Sequence, residues 1–179
     1  VERAGVKVLL GTEATPDYVK EFAPDALFVA IGSEELCPPI PGLDSEKVVM
    51  AIDAELHPEK LGQKVVIMGG GLVGAEAAVG FHHDGKECAI VEMKPAIAED
   101  VNSFYRGGLM PEVEKAAKCY VNTKVKAVVP EGVLCEKDGE ELLLEADTVV
   151  CALGLKPLCE KADTLAELVD ECYIIGDCG

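Results

Sequence analysis

The chain has 179 residues, 49% of them hydrophobic, with 16 basic against 33 acidic side chains and a formal net charge of −17. That apolar share can fill a core and excludes general disorder, while the excess of carboxylates excludes nucleic acid and anionic membrane surfaces as expected partners. No apolar run reaches the roughly 18 residues of a membrane-spanning helix, and residues 1–5 lack the basic-then-apolar order of a secretory signal. With no initiating methionine, the chain reads as a piece of a longer one.

In chain order, residues 6–10 read as a strand, 16–22 as a short helix, and 26–31 as a strand ended by Gly32 and Ser33. The proline-rich stretch 37–42 (CPPIPG) can be neither helix nor central strand and reads as a linker. Residues 65–68 are β-branched and apolar on both faces, as in a central parallel strand. A helix rich in Ala and Val is expected over 72–81, closing near His82, His83 and Gly85. Residues 88–91 form a second apolar run, which completes a βαβ unit.

Further on, 111–118 reads as a helix with Pro111 at its first position. Strands are expected at 120–121 and 124–129, the latter with Val125, Ala127 and Val129 in alternation. Residues 132–136 and 140–144 flank Asp138 and Gly139, a strong hairpin signal. A buried strand over 147–153 is closed by Gly154, and a last strand from 173 runs into Gly176 and Asp177. The expected fold is therefore α/β: a Rossmann-like domain over 44–154, with a parallel sheet and a β-hairpin or meander. It is inserted between residues 1–43 and 155–179, two pieces of one truncated domain.

Eight cysteines occur, none closer than six residues to the next, so zinc and iron–sulfur spacings are absent. Cys88 and Cys151 lie in apolar runs, and buried, reduced thiols in a cytoplasmic protein are expected. His57, His82 and His83 lack ligand-spaced partners, so no metal site is expected. No Ser or Cys sits in a nucleophile motif, and no catalytic acid or base is assigned.

Gly69, Gly71 and Gly74 form a Gly-x-Gly-x-x-Gly turn between a strand and a helix, the context in which this motif is informative. Gly69 permits the tight turn, Gly71 lets a pyrophosphate approach the backbone, and Gly74 lets helix and strand pack closely. Free N–H groups at the helix start then face the phosphates. Glu92, eighteen residues after Gly74, ends the second strand; its carboxylate can accept from ribose hydroxyls and repel a 2′-phosphate. NAD(H) is thereby favoured over NADP(H), although Lys94 can approach a phosphate. A turn whose glycines serve packing alone is the competing reading. Glu76, early in the helix, suits the helix dipole, and Glu99 to Arg106 reads as a polar loop entering a helix.

Taken together, AIGS at 30–33, PG at 41–42, VIMGGGLVGAE at 66–76, ALG at 152–154 and IGD at 175–177 resemble the pyridine-nucleotide-dependent flavoproteins. More narrowly, VEM at 91–93, IAEDVN at 97–102 and Arg106 resemble the 2-enoate reductase and 2,4-dienoyl-CoA reductase group, NADH:flavin oxidoreductases related to old yellow enzyme.

The resemblance implies an NAD domain set within an FAD domain. Gly69, Gly71, Leu72, Val73 and Gly74 would hold the NAD pyrophosphate. Glu92 would take the adenosine ribose, with Met93 and Lys94 beside the adenine. Glu76 would lie near the nicotinamide, and Ala152, Leu153 and Gly154 would pass close to the cofactor. Gly176 and Asp177 would meet the FAD ribityl chain, and Gly32 and Ser33 its adenylate half. FMN and a [4Fe–4S] cluster are implied for the remainder of the longer flavoprotein, which is the expected partner. A disulfide reductase or NADH oxidase of the same architecture, and a non-enzymatic nucleotide-sensing module, are the rival readings.

Overall fold

A computed structural model describes residues 2–179. In chain order the elements begin with α1 (Pro16–Phe22), β1 (Leu27–Val29), β2 (Ser33–Glu35), β3 (Val48–Met50), α2 (Ala51–Leu56), β4 (Lys64–Met68), α3 (Leu72–His83) and β5 (Glu87–Val91). They continue with α4 (Ser103–Ala116), β6 (Ala117–Tyr120), β7 (Thr123–Val129), β8 (Gly132–Lys137), β9 (Glu140–Glu145) and β10 (Thr148–Cys151). The chain closes through β11 (Leu155–Pro157), α5 (Cys159–Ala166) and β12 (Cys172–Ile174). Contacts divide it into an inner unit, Glu35–Leu155, and an outer unit of residues up to Glu34 with Lys156–Gly179.

The inner unit is built on a five-stranded sheet in the order β3-β10-β4-β5-β6, every neighbouring pair parallel. A central parallel strand is covered on both faces, and β4 shows it residue by residue. Val65 and Ile67 enter the core beneath α2, α3 and α4, whereas Val66 and Met68 enter the core shared with β7, β8 and β9. The connection from β6 to β10 is thus an antiparallel β7-β8-β9 meander rather than a helix. Its β8–β9 turn pairs Lys137 with Glu140 across Asp138 (φ 53°) and Gly139 (φ 82°), the two positive-φ residues of a type I′ turn.

The outer unit pairs β1 with β12 in parallel, Val29 opposite Ile174. Val19, Val29, Ala162, Leu165 and Cys178 make its small core.

Several expectations are corrected. Residues 6–10 are not a strand: Val6, Val8, Leu9 and Leu10 are 43–88% exposed. Among the described residues, no strand takes up their backbone groups, and alternation without a partner cannot hold an extended segment. The helix expected to begin at Pro111, α4, starts at Ser103, because the Asn102 side chain caps it by accepting from Phe104 N–H at 2.9 Å. Pro111 is therefore mid-helix.

Two helices, α2 and α5, lack a clear start signal: neither N-cap, Met50 or Leu158, makes a side-chain capping bond. The proline-rich stretch, placed by sequence with residues 1–43, belongs to the inner unit. Leu43 and Ile40 pack into its core, and Pro41 C=O accepts from Val128 N–H at 2.8 Å. Finally, Cys88, Cys135, Cys151 and Cys178 are buried free thiols, but Cys37 and Cys159 are exposed.

Candidate functional site: a glycine turn between two hollows

Strand β4 ends in Gly69, which adopts φ +104° and whose Cβ, were there one, would stand 2.2 Å from Ala152 O. A Cβ on Gly74 would stand 2.0 Å from Gly69 O. Both positions require glycine for reasons internal to the fold. Gly71 differs. Its φ of −68° and ψ of −170° suit any residue, and no atom lies within 4 Å of where its Cβ would be. Neither a clash nor a positive φ requires glycine there, and the missing side chain leaves the backbone open to approach.

Gly71 is also the N-cap of α3, and it brings no capping side chain. The first bond of the helix runs from Ala75 N–H to Gly71 O at 3.0 Å. The N–H groups of Leu72, Val73 and Gly74 therefore have no intrahelical acceptor. Leu72 and Val73 are exposed, so the positive end of the helix opens outward.

Glu92 follows β5 and is only 8% exposed. Its two carboxylate oxygens accept from Gly70 N–H and from Lys94 N–H, each at 2.7 Å. The acid is thus held against the turn, and one amide of the turn is already satisfied by it. Each oxygen keeps a second lone pair for a ribose hydroxyl. Gly70 C=O accepts from Ala98 N–H at 2.7 Å, so turn, acid and the loop after β5 form one hydrogen-bonded unit. The Lys94 ammonium is engaged by the Asp100 carboxylate, which raises its pKa. Met93 is 71% exposed.

Two hollows flank the turn at the carboxyl ends of β4, β5 and β10, where strand order reverses about β4 and β10. One, of about 650 Å³, is lined by Gly71, Leu72, Glu76, Ala98, Asn102 and Tyr105, among others. The other, of about 560 Å³, is lined by Ile40, Gly69, Met93, Val125, Leu153 and Gly154, among others. Gly71, Glu92, Lys94 and Asp100 border both. Glu76 and Ala152 to Gly154 therefore belong to the same site as the turn.

No sequence signal marks Tyr105, since an isolated tyrosine in a polar stretch carries no motif. Its Oη donates to Glu76 at 2.5 Å, and that carboxylate pushes the tyrosine pKa up. Glu55 is also raised, chiefly by burial and then by Glu76. Arg106 does not line either hollow; its Nε donates to Ile97 C=O at 3.0 Å and braces the loop.

In the outer unit, Gly32 (φ +70°) and Ser33 follow β1, while Gly176 (φ +74°) and Asp177 follow β12. Because β1 and β12 are parallel, these residues lie toward the same end of the pair. Among the described residues this unit holds no glycine-rich strand-to-helix turn comparable to that of the inner unit. Also among the described residues, no group of three or more His, Cys, Asp or Glu side chains suits a metal ion, and no helix is long and apolar enough to cross a membrane.

A cinnamate reductase of Clostridium sporogenes is 32% identical over 97% of this chain and 26% of its own length. An NADH oxidase of Thermoanaerobacter brockii is 31% identical over 99% of the chain and 28% of its own length. The structure of a 2-naphthoyl-CoA reductase in complex with 2-naphthoyl-CoA superposes with a TM-score of 0.89 at 33% identity, over 99% of this chain and 27% of that one. The chain thus spans roughly a quarter of the length of these relatives. The family model described as pyridine nucleotide-disulphide oxidoreductase matches residues 2–178. With that match over nearly its whole length, the chain belongs to the pyridine nucleotide-disulphide oxidoreductase family, whose members bind FAD and NAD(P)H.

Proposed function

We propose that this chain is the NAD(H)-binding part of an NADH-dependent flavin oxidoreductase of the 2-enoate reductase group. The observation that carries the reading is Gly71, a glycine that neither a clash nor a positive φ demands. It stands at the uncapped start of α3, beside a carboxylate clamped to the same turn.

The residues present fit a dinucleotide. The amides of Leu72, Val73 and Gly74 bind the pyrophosphate, and Glu92 accepts from the adenosine ribose. Ala152, Leu153 and Gly154 form the opposite wall, and Glu76 with Tyr105 borders the nicotinamide side. NADH, when bound, supplies a hydride from nicotinamide C4 to N5 of FAD and leaves as NAD⁺. The chain's own task is to orient and to exclude water; none of its groups need exchange a proton. Gly32, Ser33, Gly176 and Asp177 offer an edge for FAD.

The longer protein would supply FMN and a [4Fe–4S] cluster, whose chemistry would be to carry electrons on to an activated C=C bond. The names of the cinnamate reductase and 2-naphthoyl-CoA reductase relatives support an unsaturated acyl acceptor. The NADH oxidase relative supports the rival in which the flavin serves another acceptor.

Calorimetric titration with NADH tests the reading. NADH binds the wild-type chain, and Gly71→Val, which fills the open space without straining the backbone, abolishes binding while the chain stays folded with only the small drop in melting temperature of a weaker N-cap. The chain alone does not oxidise NADH until flavin is added. Binding that survives Gly71→Val, or absence of binding to the wild type, overturns the assignment.

A further inference from the structure

Among the described residues, Lys94 is the one cation lining the larger hollow, and it borders the smaller one as well. Its backbone is fixed on both sides: the N–H donates to Glu92, and the C=O accepts from Asn122 N–H at 3.0 Å. The stem of this lysine therefore starts beside the acid that selects the ribose. Where its ammonium goes decides what the acid can accomplish. Left free, it can neutralise a phosphate on the ribose and cancel the repulsion from Glu92. Instead the ammonium is taken by Asp100.

We propose that Asp100 is a specificity-determining residue: by holding the Lys94 ammonium it withholds the cation that a ribose 2′-phosphate needs, so that the site takes NADH in preference to NADPH. This rests on the NAD(H) reading of the site and extends it.

Two features of the fold support the role. The lysine and aspartate side chains are 49% and 81% exposed, and a pair so exposed contributes little to stability, so folding does not account for it. Asp100 also sits in a loop tied to the glycine turn, through Ala98 N–H to Gly70 O at 2.7 Å and Val101 N–H to Ala98 O at 3.2 Å. Its carboxylate is thus kept within reach of Lys94. Glu92 and Glu99 also act on the lysine through their charge, and the one hydrogen bond between Glu92 and Lys94 is to the backbone N–H, not the ammonium. Lys124, which lines only the smaller hollow, is the other cation in the region.

The test compares NADH and NADPH titrations of the wild type, Asp100→Asn, and Asp100→Asn combined with Lys94→Gln. Asp100→Asn is expected to raise NADPH affinity relative to NADH by about two- to fivefold, the scale of one exposed phosphate–ammonium pair. Adding Lys94→Gln is expected to remove that gain. An unchanged ratio in Asp100→Asn overturns the inference. A gain that persists without Lys94 overturns it as well, since loss of the negative charge or Lys124 would then be responsible. If the wild type binds neither dinucleotide, the NAD(H) reading itself fails and this inference falls with it. NADH binding by the wild type with an unmoved ratio sinks the inference alone.

Discussion

The carboxylate of Glu92 accepts a hydrogen bond from the backbone N–H of Gly70 at 2.7 Å, across a sequence separation of 22 residues. The acid proposed to meet the ribose is therefore the same one that holds the glycine turn in shape. Its buried position makes the two roles inseparable in a simple deletion.

Glu92→Ala leaves the Gly70 N–H buried without a partner, so both stability and NADH affinity fall, each by about 1–3 kcal/mol. Glu92→Gln keeps one acceptor oxygen for Gly70 N–H but turns its NH2 toward Lys94 N–H, so it restores only part of the stability, and not the affinity, because the negative charge at the turn is gone. Thermal melts beside calorimetric titrations separate the two.

The three glycines of the turn fail differently. Gly69→Ala and Gly74→Ala force a methyl against carbonyl oxygens 2.2 Å and 2.0 Å away. Each is expected to lower stability by about 2 kcal/mol or more in denaturant titrations. Gly71→Ala meets nothing and loses only the N-cap preference for glycine, about 0.5–1 kcal/mol, a smaller fall in the denaturant midpoint.

Asn102→Ala removes the cap of α4 and costs about 1 kcal/mol, read as a lower melting temperature. The loop bordering the larger hollow loosens with it, so NADH affinity declines more than in a control substitution on the far side of α4, such as Lys115→Ala.

Burial pushes the thiols of Cys88 and Cys135 from the ordinary 9.0 up to about 11. At about pH 8 an aromatic disulfide reagent should label the exposed Cys37 and Cys159 first and reach these two only on unfolding. The linkage has a definite sign. Between pH 9 and about pH 11 the unfolded chain loses thiol protons that the folded chain retains. Stability is thus undiminished below pH 9 and declines as the pH rises toward 11. Urea midpoints measured across that window check it, and Cys88→Ala should flatten the decline.

Much of the inner unit was legible in the residues because its signals are local. A β-branched run buried on both faces can only be a central strand; a glycine triplet between that run and an alanine-rich helix marks the turn. Asp138 and Gly139 specify their hairpin by backbone conformation alone. Local signals also misled. Residues 6–10 carry the composition of a strand, yet a strand exists only with a neighbour. Pro111 carries the mark of a helix start, yet Asn102 supplies a cap earlier in the chain.

The amino-acid order by itself determined the parallel α/β plan, the position of the glycine turn and the presence of an acid after the second strand, since each depends on residues near one another along the chain. Tertiary structure alone decided which glycine is spare, that Glu92 reaches back to Gly70, that Tyr105 meets Glu76, and that Asp100 claims Lys94. Those are relations of free space and of hydrogen-bond partners brought together by the sheet and its loops. No pattern along the chain encodes which donor an acceptor will find once the strands are side by side.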